Sequence, residues 1–175
     1  PIITNTIKNN NFIYAIYVGH KNGNFYEIIN LDINKKLKRK YKVDLKTKWL
    51  VIKIATENGQ RIQYEDFLDH NFNKIKQTKR IAVYNPSIRP WFKEATRNQG
   101  IIKTAPYMFA NLEEHGITYA KQINNSTSVL ALDISLESLS QYLKKQQITD
   151  DHEIYLYRNQ GDITATTIKE EKEIN

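Results

Sequence analysis

The stretch that decides the fold spans residues 84–95 and reads Tyr-Asn-Pro-Ser-Ile-Arg-Pro-Trp-Phe-Lys-Glu-Ala. Pro86 and Pro90 each restrict their own φ and disfavour a helical residue before them. The spacing therefore predicts a stiff loop up to Arg89, followed by a helix that begins with Pro90 and continues through residues 91–98. Arg89 takes the N-cap position of this helix.

Arg89 is a poor N-cap, because a guanidinium offers no acceptor to the free N–H groups of the first helical turn. Two interpretations follow. In the first, Arg89 and the helix N-terminus, with Tyr84 and Trp91 nearby, hold a carboxylate or a phosphate. In the second, Arg89 pairs with an internal Asp or Glu while Trp91 and Phe92 fill the core.

The composition narrows the class of protein. The chain has 175 residues, of which 40% are apolar, enough for one core or for one complete domain and part of another. The sequence shows no apolar run long enough for a membrane span and no signal peptide. It contains no Cys, which excludes disulfides and thiolate chemistry. Its first residue is Pro1, so we expect a piece of a longer protein.

The net charge of +7 is concentrated in residues 34–48, where eight of fifteen residues are basic. Such a run could bind nucleic acid or an anionic membrane. The alternative is a solvated loop or strand edge. Neither the aromatic pattern of an RNA-binding sheet nor helix-turn-helix spacing accompanies it, so we expect the second and no nucleic-acid partner.

Apolar and β-branched runs separated by turn residues predict an antiparallel sheet. Apolar residues at helical intervals predict a short amphipathic helix over 64–75, and Ser135 is predicted to cap a helix that extends to about residue 147. A second hairpin, with strands at 154–157 and 163–166 around a turn at 159–162, repeats the outline of the first and predicts the start of a second copy of the module. Strands of the first module are predicted at 12–18, 25–31, 49–55, 61–64, 116–123 and 128–134.

Asp133 is the only charge in the apolar strand 128–134. Burying a carboxylate is costly unless something donates to it. Asp133 either caps or pairs locally with a residue such as Lys or Arg, or it accepts from a bound ammonium group. The sequence has no nucleophile elbow, no paired metal-binding histidines and no phosphate-binding glycine loop, so we expect neither catalysis, nor a metal, nor a cofactor.

The order of these elements resembles the double Cache family, the extracytoplasmic sensor domains of bacterial transmembrane receptors. Arg-Pro-Trp-Phe within 84–95 and Asp-Ile-Ser-Leu at 133–136 carry the resemblance, which covers nearly the whole chain. It implies an α+β fold: a PAS-like Cache module with a central antiparallel sheet flanked by helices. Residues 1–148 would form the membrane-distal module, and residues 149–175 would form the opening hairpin of a truncated or partial membrane-proximal module.

The family also implies a location on the periplasmic or extracellular face of the bacterial inner membrane, with anchoring through flanking helices absent from this chain. The intact receptor would carry an output unit such as a histidine kinase, a chemotaxis transducer, a cyclase or a phosphodiesterase. The chain itself would be a non-enzymatic sensor whose partner is a small molecule, with homodimerisation left open. A structural or partner-binding spacer that takes no ligand is the alternative.

An amino-acid-binding subset of this family has a pattern that Tyr84, Arg89, Trp91, Tyr107 and Asp133 resemble. Arg89 and the Tyr84 hydroxyl would hold an α-carboxylate, Asp133 and Tyr107 would hold an α-ammonium, and Trp91 would wall the pocket. The expected ligand is therefore an amino acid or a related amine.

Two positions depart from that pattern. Phe92 stands where the subset usually has a second tyrosine, and Phe109 stands where many members carry a further acidic residue. A site with fewer polar groups could bind a different amine or a more apolar amino acid, or could have lost binding.

Overall fold

The structure is a computed structural model that describes residues 2–109, 111–112, 114–149, 151–157, 161 and 163–168. Within these ranges the helices are α1 (Ile2–Asn9), α2 (Lys35–Tyr41), α3 (Pro90–Arg97) and α4 (Leu136–Lys145), with a 3-10 helix at Pro86–Ile88. The strands are β1 (Ile13–His20), β2 (Phe25–Asn30), β3 (Trp49–Glu57), β4 (Gln60–Leu68), β5 (Lys74–Ile81), β6 (Ile102–Lys103), β7 (Tyr107–Met108), β8 (His115–Gln122), β9 (Ser128–Ser135), β10 (Tyr155–Tyr157) and β11 (Ile163–Thr166).

Nine of these strands form one sheet in the order β5-β4-β3-β2-β1-β9-β8-β6, with β7 also paired to β8. Every pair is antiparallel. β1 lies in the middle, between its hairpin partner β2 and the late strand β9. The sheet is therefore complete only when segments that are distant in sequence come together. The fold is α+β with a large antiparallel sheet, which confirms the predicted class.

The sheet is buried on both faces near its centre. Tyr17 pairs with Glu27, and Glu27 pairs with Ile52, so these three side chains form a row across β1, β2 and β3 on one face. α2 and α3 cover this face, which holds the larger apolar core. The neighbouring residues Ile16 and Ile28 point to the other face and pack with Ile7 of α1.

The predicted helix at 64–75 is wrong, because this segment continues β4 to Leu68 and then turns into β5. Asp69 makes the turn: its Oδ1 accepts hydrogen bonds from the N–H groups of Asn71 and Asn73. Phe72 lies in the turn with φ of 68° and stacks on Trp49. The apolar spacing resembles a helix only because Phe72 belongs to a turn and not to a strand.

The basic run 34–48 is also different from the expected loop or strand edge, because its first half forms α2. Asn34 caps this helix by accepting from the Lys36 N–H at 2.8 Å, and Lys42 ends it in the left-handed conformation. Leu37 is buried in the larger core, while most of the basic side chains around it are exposed. Leu37 and the half-buried Tyr41, whose ring meets that of Phe67 edge-on, dock this helix on the core.

The loop before Pro90 contains a single 3-10 turn, Pro86–Ile88, where the prolines had predicted non-helical backbone. Asn85 caps this turn by accepting from the Ser87 N–H at 3.1 Å and from the Ser87 hydroxyl at 2.9 Å. Pro86 suits the first position of the turn, since its missing N–H would have had no partner there. α3 begins at Pro90, as predicted.

The second hairpin, β10 and β11, forms a separate two-stranded sheet that packs against α4 through β11. Both of its strands lie within the predicted segments; Asn159, Gln160 and Asp162 of the predicted turn lie outside the described residues. Ser135 caps α4, as predicted, by accepting from the Ser138 N–H at 3.0 Å. No helix in the described ranges has the length and apolar character needed to cross a membrane.

Candidate functional site

A cavity of about 270 Å³ opens on the sheet face that α3 covers. All five residues singled out in the sequence line it: Tyr84, Arg89, Trp91, Tyr107 and Asp133. They come from four separate segments, namely the loop before α3, α3 itself, β7 and β9. The tertiary structure thus brings the whole predicted set to one concave site.

The loop that carries Arg89 is pressed closely against β1. A Cβ added to Gly19 would lie 2.7 Å from Cη2 of Trp91 and 2.8 Å from Cβ of Pro86, both too close for a real contact. Trp91 is 1% exposed, and its ring meets the ring of Tyr17 edge-on with centroids 4.9 Å apart. Gly19 therefore permits the approach that brings Trp91 and the start of α3 over the cavity.

Arg89 is the N-cap of α3, with extended backbone and no side-chain capping bond. Its guanidinium carbon lies 5.9 Å from the ring centroid of Tyr84, close enough for a cation–π contact. No described carboxylate forms an ion pair with it, so the interpretation of Arg89 as the partner of an internal Asp or Glu is not what the structure contains. Trp91 and Phe92 do fill core, as that interpretation expected.

Asp133 is 6% exposed and lies in the floor of the cavity. Its Oδ1 accepts hydrogen bonds from the Tyr17 hydroxyl at 2.8 Å and from the Thr118 hydroxyl at 2.5 Å. No described residue donates to Oδ2. Burial raises the pKa of Asp133 to about 7, although the hydrogen bonds from Thr118 and Tyr17 and the charge of Arg89 act in the opposite direction. The suggested local cap or Lys/Arg partner is absent among the described residues.

Tyr107 reaches Asp133 through Thr118. The hydroxyls of Tyr107 and Thr118 are 2.6 Å apart. Because the only hydroxyl proton of Thr118 goes to Asp133, Tyr107 is the donor in this bond. The three side chains form a short relay from β7 through β8 to β9, which orients the carboxylate.

Tyr84 is held from two sides. Its ring lies 4.9 Å from the ring of Phe25, and its carbonyl accepts a hydrogen bond from Nη2 of Arg61 at 2.6 Å. The same Arg61 nitrogen donates to the carbonyl of Gly23 at 2.7 Å. Arg61 thereby connects the start of the loop to the β1–β2 turn. Burial raises the pKa of the Tyr84 phenol well above its usual value.

The two phenylalanines that depart from the family pattern have different surroundings. Phe92 is buried against Trp91 and does not line the cavity. Phe109 does line it and stacks on Tyr14, with ring centroids 5.7 Å apart. Phe109 also passes directly over Gly116, where any Cβ would overlap its ring. The aromatic side chain at 109 is therefore built into the packing of β8.

Three further polar residues belong to the site and were not predicted from the sequence: Tyr17, Thr118 and Glu27. Tyr17 and Thr118 face Asp133 across adjacent strands, a relationship that appears only once the register is known. Glu27 has a sequence signal that could have identified it, because it is a lone acid in an apolar strand, as Asp133 is. It is 6% exposed and lines the cavity, and burial, followed by the negative charge of Asp133, raises its pKa to about 8.

The described residues contain no group of three or more His, Asp or Glu side chains arranged to hold a metal ion. The cavity instead combines aromatic rings, one unpaired guanidinium and buried carboxyls. This combination suits a small molecule that carries both a negative and a positive group.

No family model matches the sequence. The chain is 23% identical over 146 residues to adenylate cyclase 1 of Rhizobium meliloti, a match that covers 79% of this chain and 21% of the cyclase. It is 30% identical over 79 residues to the methyl-accepting chemotaxis protein McpA of Bacillus subtilis, covering 45% of this chain and 12% of McpA. The chain thus spans only a small part of the curated relatives it matches.

Among solved structures, the chain is similar to the ligand-binding domain of the Campylobacter jejuni chemoreceptor Tlp3, crystallised in complex with 4-methylisoleucine. The TM-score is 0.53 at 20% identity, and the match covers 100% of this chain and 52% of that one. At this identity the likeness concerns the fold. The chain has the α+β fold, built on a large antiparallel sheet, of a chemoreceptor sensor domain.

Proposed function

We propose that this chain is the extracytoplasmic ligand-binding sensor domain of a bacterial signal-transduction receptor, of the double Cache type, and that its cavity binds a small zwitterion such as an amino acid. The observation that carries the proposal is the placement of Arg89 and Asp133 in one cavity, each lacking a partner of opposite charge among the described residues. Asp133 is buried and Arg89 is half-buried, and a buried carboxylate is costly unless a partner of opposite charge completes it.

In this proposal the guanidinium of Arg89 and the hydroxyl of Tyr84 bind the α-carboxylate. Oδ2 of Asp133 accepts from the α-ammonium, while Oδ1 stays bonded to Tyr17 and Thr118. Tyr107 contributes indirectly, because it is hydrogen-bonded to the hydroxyl of Thr118, which in turn donates to Asp133. The hydrogen bonds that already restrain Asp133 reduce the entropy lost when the ligand binds.

The similarity to chemotaxis proteins and to part of an adenylate cyclase supports a sensor that can be joined to different output units. The ligand bound to the Tlp3 domain, an amino acid derivative, supports an amino acid or related amine as the ligand class. We further propose a receptor anchored in the inner membrane with this domain on the outer side. Residues 1–148 form the distal module, and residues 149–175 begin the proximal one.

A thermal-shift screen of the chain against the twenty amino acids and simple amines tests the proposal. A ligand that binds only the folded state raises the melting temperature by mass action. We expect at least one amino acid to raise the melting temperature of the natural protein and to have no effect on Arg89→Ala or Asp133→Ala. If no amino acid or amine changes the melting temperature, the structural-spacer alternative is favoured.

A further inference from the structure

Glu27 is a buried acid that the zwitterion site does not use. It lies in β2, in the row between Tyr17 and Ile52, on the face that forms the floor of the cavity. It is 6% exposed, and no described residue donates a hydrogen bond to it or forms an ion pair with it. A carboxyl buried in this way normally has a partner, and the open space in front of Glu27 is the cavity.

The two cationic side chains that line the cavity, Arg80 and Arg89, already have other partners. Nη2 of Arg80 lies 2.8 Å from Oε1 of Glu65, and Gln63 and Thr78 also donate to that carboxylate. Under the proposed function, Arg89 binds the ligand carboxylate and the ligand ammonium pairs with Asp133. This assignment leaves the carboxyl of Glu27 without any positive group.

The surroundings of Glu27 favour a cation. Tyr14, Phe25 and Tyr84 line the same cavity, and the faces of aromatic rings attract positive charge. The Tyr14 hydroxyl is buried without a hydrogen-bond partner among the described residues, so it too is available to a ligand. The raised pKa of Glu27, caused by burial and then by Asp133, is the shift expected of a carboxyl that lacks a cation.

We propose that the ligand carries a second cationic group, which Glu27 binds, so that the site takes a basic amino acid of the lysine, ornithine or arginine class. Glu27 then determines specificity, while Asp133 binds the α-ammonium. The two acids stand on β2 and β9 with only β1 between them, and they are offset by two residues along β1, where Glu27 is opposite Tyr17 and Asp133 is opposite Ala15. Ordinary strand geometry therefore puts their backbones roughly 12 Å apart, and both residues line the cavity. A diamino acid can bridge that separation. The inference rests on the proposed function.

Isothermal titration calorimetry on the full chain, with matched ligand pairs, tests it. L-Lysine is compared with L-norleucine, which lacks only the side-chain ammonium, and L-arginine is compared with L-citrulline, its uncharged isostere. We expect each cationic ligand to bind at least about tenfold more tightly than its neutral partner, because a charge-assisted bond to a buried carboxylate is lost in the second case.

Glu27→Gln removes the charge and keeps the shape. We expect this variant to lose most of the lysine-over-norleucine preference and to bind norleucine at least as well as the natural protein does. Glu94→Gln, an exposed acid on α3, is the control and should leave both affinities unchanged. Circular dichroism checks that the Glu27 variant folds, and its norleucine binding reports an intact zwitterion site.

Equal affinity for lysine and norleucine, or a preference that survives in Glu27→Gln, would overturn this inference and leave the proposed function intact. Binding of no amino acid by the natural protein would overturn both. A cationic preference abolished by Glu27→Gln, with norleucine binding retained, supports the inference.

Discussion

The hydroxyl of Tyr17 donates a 2.8 Å hydrogen bond to Oδ1 of Asp133, and the two residues lie on neighbouring strands that are more than one hundred positions apart in sequence. Thr118 donates to the same oxygen from the opposite side. Both donors favour the ionised carboxylate, whereas burial opposes it. Asp133 lines the cavity and is therefore held in one orientation, and no described residue donates to its other oxygen.

Tyr17→Phe removes one of the two donors to Asp133 without changing the shape of the core. We expect the free energy of unfolding at pH 8 to fall by about 1.5–3 kcal/mol, the usual contribution of a hydrogen bond to a charged group. Urea denaturation measures this change. Tyr142→Phe, at a tyrosine that is 42% exposed, should change stability far less. Equal losses in the two variants would show that the bond to Asp133 contributes little.

The empty domain should be less stable at alkaline pH than at pH 5. The folded-state pKa values of Asp133 and Glu27, about 7 and about 8, lie above those of the unfolded chain, so the folded state binds more protons between about pH 4 and pH 8. The stabilisation of the folded state by protonated Asp133 and Glu27 is complete below the pKa values of the unfolded chain. It is lost as the pH rises through their folded-state pKa values of about 7 and about 8. The other titratable or charged side chains that line the cavity are Tyr14, Tyr17, Arg80, Tyr84, Arg89 and Tyr107.

Denaturation at pH 5 and pH 8.5 checks this dependence, and we expect the free energy of unfolding to fall by several kcal/mol, because two carboxyls contribute. The variant that combines Asp133→Asn with Glu27→Gln should show a flatter profile, because it lacks both carboxyls and keeps every other side chain of the natural protein. A profile that is equally steep in the variant would assign the dependence to other groups.

Arg89→Lys keeps the charge but loses the planar pair of donors that matches a carboxylate. We expect amino-acid affinity to fall by about tenfold in Arg89→Lys and by about a hundredfold or more in Arg89→Ala, as calorimetry would measure. Because Arg89 has no ion pair with a described residue, the stability of the empty protein should change little. Arg97→Ala, at the exposed end of the same helix, is the control. Unchanged affinity in Arg89→Ala would remove Arg89 from the site.

Gly19→Ala should disturb both packing and binding, because the new methyl group would overlap Trp91 and Pro86. We expect a loss of about 1–3 kcal/mol in unfolding free energy, typical of overpacking, together with weaker amino-acid binding as the loop is pushed outward. Gly100→Ala is a matched control, since a Cβ there meets nothing within 4 Å. Thermal unfolding compares the two, and similar melting temperatures would contradict the close approach.

Local signals were reliable where the local chain decides the conformation. Pro90 at the first position of α3 and Ser135 as the cap of α4 were both predicted from the sequence, and both are confirmed. The helix predicted at 64–75 failed because apolar spacing cannot distinguish a helix from a strand followed by a turn in which Phe72 packs on Trp49. α2 was missed because its Lys-rich sequence buries only Leu37.

The sequence by itself determined most of the strands, the starts of α3 and α4, and the two isolated charges, Arg89 and Asp133. Prolines, caps, β-branched runs and a lone acid in an apolar strand act within a few residues of themselves. Only the tertiary structure decided what surrounds those charges. The strand register makes Tyr17 and Thr118 partners of Asp133. Glu27 lines the same cavity because only one strand, β1, lies between its strand and β9. Strand order and register depend on contacts between distant segments, and no short stretch of sequence carries that information.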